Sequence, residues 1–94
     1  MTDTAQSVTH HLIHAGEIVD SLARATVKAT PNAREVLPHI DAAKSFTTAA
    51  DALYEAAERI ASGEPVNGAG LALALRVAAV KAAEGRALVN FPLS

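Results

Sequence analysis

Apolar residues recur along this chain at spacings of three and four rather than two, and the breaks between the recurring stretches fall in two places. Pro31 and Pro38 form one cluster, and Gly63, Pro65, Gly68 and Gly70 form the other. This pattern predicts three long helical segments and no sheet, over about residues 4–29, 38–62 and 68–89. Alanine, the strongest intrinsic helix former, is the commonest residue in all of them.

In the first segment Val8, Leu12, Ala15, Val19 and Leu22 fall on one stripe, with Ile18 and Ala23 at its edges. The opposite side carries His10, His14, Glu17, Ser21, Arg24 and Lys28, and Asp20 stands one turn before Arg24, the favourable order for a helical ion pair. Ile13 falls on this polar side and breaks the pattern. The second segment has a cleaner stripe of Phe46, Ala50, Leu53, Ala57 and Ile60, flanked by Ala43, Tyr54 and Ala61. Its polar face holds Asp41, Lys44, Thr48, Asp51, Glu55, Arg59 and Ser62, with Glu55 and Arg59 spaced to pair.

Between these segments Asn32-Ala33-Arg34-Glu35 has the spacing of a capping box, Thr30 before Pro31 is an alternative cap, and a short extra turn near residues 32–37 is expected before Pro38 interrupts it. Gly63 reads as a left-handed cap closing the second segment, and Asn67 as the cap opening the third.

The third segment differs in kind. Leu71, Leu75, Ala78, Ala82 and Val89 line one side, Leu73, Val77, Val80 and Leu88 the other, and between Leu71 and Ala83 only Arg76 and Lys81 are charged. A helix apolar all round is expected to be buried all round. In a bundle of three helices, however, each helix keeps one face to solvent. The expected solution is association through this helix: a symmetric homodimer, the simplest closed assembly, or a protein partner. Candidate interface residues are Leu71, Leu73, Leu75, Val77, Val80 and Leu88, and the pattern does not say which side the single chain keeps for itself. The N-terminal turn and a Phe91-Pro92-Leu93 tail folded over the second side are the alternative.

Composition narrows the function classes. With 94 residues, half of them hydrophobic and 19% charged, the chain suits one folded domain spanning 1–94 rather than a disordered tail. A net charge of −2, with basic residues scattered among acidic ones, argues against a nucleic-acid module. The absence of cysteine excludes disulfides, thiolate metal sites and cysteine nucleophiles. No stretch reaches the roughly 18–20 apolar residues of a membrane span, and the first residues lack the pattern of a secretory signal, so a cytoplasmic location is expected.

The one chemically suggestive cluster is His10-His11-Leu12-Ile13-His14-Ala15-Gly16-Glu17. On a helix His10, His14 and Glu17 project from one face, the ligand types and spacing that a divalent metal such as zinc requires. Completing four ligands calls for His39, a carboxylate such as Asp41, or a second subunit. A pH-responsive face is the other use of clustered histidines. No nucleophile elbow is present, Glu55 and Glu58 lie on a polar face, and Gly68-Ala69-Gly70 lacks the pattern of a phosphate loop, so no enzyme chemistry is expected. Arg76 and Lys81 must pair or reach solvent along their stems.

The stretch Ala49-Ala50-Asp51-Ala52-Leu53-Tyr54-Glu55-Ala56-Ala57, followed by Ser62-Gly63-Glu64-Pro65 and an alanine-rich helix, resembles a helical hairpin in the C-terminal bundle of acyl-CoA dehydrogenases, over roughly residues 40–89. The Gly-Gly motif of that family is missing and the chain is too short for its flavin site, so no functional residue transfers. The residues themselves point to an all-α three-helix bundle or hairpin, completed by oligomerisation. Its expected role is a non-enzymatic interaction module, an adaptor or stoichiometric inhibitor, with metal or ligand binding at the His10/His14/Glu17 face as the alternative.

Overall fold

The computed structural model describes residues 2–28 and 36–89, and among these it is a small all-α three-helix bundle: α1 (Thr2–Lys28), α2 (Val36–Ala61) and α3 (Ala69–Val89), with no strand. The capping residues Thr30, Asn32 and Glu35 and the Phe91-Pro92-Leu93 tail lie outside the described residues. Of the short extra turn expected near 32–37, Val36 and Leu37 instead belong to α2, and Pro38 does not interrupt them. Proline is accommodated there because the first turn of a helix has no internal acceptors for its N–H groups.

The middle helix organises the packing, since α2 lies against both α1 and α3. Its buried arc is correspondingly wide. Phe46, Ala50, Leu53, Ala57 and Ile60 are all buried, as their spacing predicts, and Ala42, Ala43, Ala49 and Ala56 extend the arc on either side. The larger core cluster joins Leu12 of α1, Leu53 and Ile60 of α2, and Ala74 and Ala78 of α3. A smaller one places Phe46 with Ala23 and Ala42, beneath Val19, Leu22 and Val89.

Two glycines set how closely the outer helices approach α2. A Cβ built on Gly16 would stand 2.8 Å from Cε1 of Tyr54, and one on Gly85 would stand 2.7 Å from Cε1 of Phe46. Phe46 and Tyr54 of α2 therefore each lie against a helical glycine of a neighbour. In α1 the predicted stripe faces the core, with Leu12 buried and Val8, Ala15, Val19 and Leu22 packed half-buried against it; of its two edge residues Ala23 is buried while Ile18 is exposed. Thr26 is also fully buried, and its hydroxyl donates to the Leu22 carbonyl at 2.8 Å, which satisfies it.

α2 ends at Gly63, whose φ of 113° is left-handed. Gly63 N–H donates to the Ile60 carbonyl at 3.1 Å and Glu64 N–H to the Arg59 carbonyl at 3.0 Å, the paired bonds of a Schellman cap. Side chains reinforce the same closure: Arg59 Nε lies 3.7 Å from Glu64 Oε2. Arg59 thus pairs with the residue beyond the cap, not with Glu55 as helical spacing predicts. At the other end of the loop Gly68, not Asn67, occupies the N-cap position, because its carbonyl accepts the first bond of α3, from Ala72 N–H at 3.4 Å.

Candidate interaction surface

α3 is built inside out. Its buried positions are the small residues Ala74, Ala78 and Gly85, which lie against α2. Of its larger residues, Leu71 and Val89 are half-buried against the core, while four others are largely exposed: Leu73 is 62% exposed, Val80 51%, Leu75 46% and Leu88 46%. An ordinary amphipathic helix does the reverse, because burying a leucine gains more than burying an alanine. Here close approach is what the inner face supplies, and an alanine or glycine surface permits it. The expectation that α3 is buried on both sides is therefore not met within the single chain.

The interface candidates separate into two groups. Leu73, Val80 and Leu88 lie on the outward side, beside half-buried Val77. Leu71 and Leu75 instead border an apolar groove of about 310 Å³ between α1 and α3, floored by Leu53 and lined also by Val8, Leu12, Ala15 and His11. The two charged residues of α3 singled out by sequence are both accommodated. Lys81 Nζ lies 3.2 Å from Glu84 Oε2, and Arg76 is exposed and takes no part in the ion pairs among the described residues.

On α1 the histidine face is solvent-exposed. His14 Nδ1 stands 4.0 Å from Glu17 Oε1, a pair that gains charge attraction when the imidazole is protonated. His10 does not join them; its ring meets His11 edge-on at a centroid separation of 6.3 Å. His11 Nδ1 donates to the Ser7 carbonyl at 2.6 Å. Among the described residues no group of three or more His, Asp or Glu is placed to hold a metal ion. Asp20 and Arg24 form the predicted pair at 2.8 Å.

A second hollow, of about 360 Å³, lies between α1 and α2 and is lined by Thr9, Ile13, Tyr54, Ala57, Glu58 and Ala61. Ile13, the apolar residue that breaks the α1 pattern, is one wall of it, and the buried Thr9 hydroxyl beside it has no hydrogen-bond partner. Tyr54 is half-buried against α1, and burial, followed by the nearby Asp20 and Glu17 carboxylates, raises its phenol above the ordinary value of 10.0.

The stripe pattern does not show the glycine contacts, but the glycines themselves carry a signal. Glycine inside a helix costs about 1 kcal/mol relative to alanine, so Gly16 and Gly85 each called for a packing reason.

No described helix is long and apolar enough to cross a membrane. Comparison with known proteins found no matching family model, no matching curated protein and no matching solved structure.

Proposed function

We propose that this chain is a small non-enzymatic protein–protein interaction module, an adaptor or stoichiometric inhibitor, that acts through the outward apolar face of α3. The observation that carries this reading is the inverted helix: Leu73, Val80 and Leu88 are exposed on an element whose buried side is alanine and glycine. Large side chains held outward on a packed helix form the kind of apolar surface that marks protein interfaces. About half of each side chain or more stays in contact with solvent in the single chain, and a role in association accounts for that exposure where core packing does not.

A glutamate scan tests the reading. Leu73→Glu, Val80→Glu and Leu88→Glu each place a charge on the outer face without touching the buried arc, and each is expected to leave helix content unchanged while abolishing association measured by sedimentation velocity. Lys44→Glu, on the polar face of α2, is the control and is expected to associate as the wild type does. Equal association in all four variants would overturn the reading.

A further inference from the structure

We infer that the partner of the α3 face is a second copy of this chain, packed antiparallel across α3 with Val80 on the two-fold axis. This rests on the reading above and adds to it the occupant, the direction and the register. The outermost line of α3 runs Ala69, Leu73, Arg76, Val80, Ala83 and Ala87. When two such helices lie antiparallel about Val80, residues equally far before and after it share one level. Arg76 stands four residues before Val80 and Glu84 four after. At 100° per residue they flank the line through Val80 by about 40° on opposite sides, so in a face-to-face antiparallel pair each Arg76 is level with the Glu84 of the other copy and faces it across the seam.

Charge and shape agree on this register. Arg76 has no counter-charge among the described ion pairs of its own chain, and the antiparallel copy supplies one, with Glu84 shared between it and Lys81. The symmetry makes the contact twice. Leu73, the most exposed large apolar residue of the face, stands seven residues before Val80 and meets the level of Ala87, seven after, so a large side chain lies opposite a small one. Ala83 and Ala87 allow the backbones to approach closely enough for these contacts, and a parallel pairing would instead set Arg76 level with Arg76 and Leu73 level with Leu73.

The chain has no native cysteine, so single cysteines report the register cleanly. Under mild oxidation Val80→Cys is expected to form a covalent dimer with itself. Leu73→Cys and Ala87→Cys are expected to do so only when mixed with one another. Arg76→Glu alone and Glu84→Arg alone should each weaken the dimer about tenfold, and the double variant should restore it, because each single change converts two attractive pairs into repulsive ones. Circular dichroism of every variant checks that the helices are kept. Self-crosslinking of Leu73→Cys would overturn the antiparallel register while leaving the interaction reading in place. A dimer by sedimentation that crosslinks at none of these positions would overturn both. A chain that is monomeric at every concentration would overturn the second copy as occupant and leave a different protein as the partner of the face.

Discussion

Gly85 of α3 lies directly on the ring of Phe46, so near that even a methyl group at Gly85 would stand 2.7 Å from Cε1 and 2.8 Å from Cζ. Phe46 is fully buried. Helix propensity and packing therefore make opposite demands at one position, which allows their magnitudes to be compared.

Gly85→Ala gains about 1 kcal/mol of helix propensity and introduces overpacking that typically costs about 1–3 kcal/mol. The expected outcome is net destabilisation, read as a lower urea midpoint. Gly16→Ala is the companion test, and its loss should be smaller, because the Tyr54 ring it meets is half-exposed and can move. Stabilisation of the Gly85 variant would show that α3 does not sit on Phe46.

Gly63 separates conformation from packing. A Cβ there meets nothing within 4 Å, yet the backbone φ is 113°. Gly63→Ala is expected to cost about 1 kcal/mol, all of it from the left-handed backbone. Gly63→Asn should recover part of that loss, since asparagine tolerates this region best among the side-chain-bearing residues. An alanine variant as stable as the wild type would contradict the Schellman closure.

Tyr54 gives a pH signature. Its folded-state pKa is raised above the unfolded value of 10.0, by burial first and by Asp20 and Glu17 next. The folded chain therefore prefers the neutral phenol, so this contribution to stability is fully present below pH 10 and is lost as pH rises through the folded pKa. Ultraviolet titration at the phenolate band should place ionisation above that of a model tyrosine, and Asp20→Asn should bring it closer to the ordinary value. Ionisation below the ordinary value would contradict the packing of Tyr54 against α1.

The histidine face is expected to bind zinc weakly and without stabilising the fold. The described residues bring His14 and Glu17 together and leave His10 against His11, and an exposed pair is too few ligands for a closed site. Adding zinc or a chelator should leave the melting temperature unchanged. A stoichiometric complex lost on replacing His10 and His14 by alanine would instead establish a metal centre there.

Much of the architecture could be read from residue order because local rules and packing agree. Proline and glycine mark the segment ends to within two residues or so, and the Phe46-Ala50-Leu53-Ala57-Ile60 stripe is buried as its period requires. What could not be read depends on contacts between segments. Gly16 and Gly85 look like local defects until the rings of Tyr54 and Phe46 are placed over them. Arg59 finds Glu64 only because the chain reverses at Gly63. For α3 periodicity is silent in principle: a helix apolar on every side has no preferred direction, and side-chain size rather than polarity turns Ala74, Ala78 and Gly85 inward.

The most direct test of the central claim is the absolute mass in solution, measured by light scattering over a dilution series of the wild type and of Val80→Glu. Association through the outward face of α3 predicts twice the 9.7 kDa chain mass for the wild type at high concentration, falling on dilution, and the single-chain mass throughout for the variant. A variant that dimerises as well as the wild type would contradict the outward face as the seam, and a wild type that stays at the single-chain mass at every concentration would contradict the second copy as its occupant.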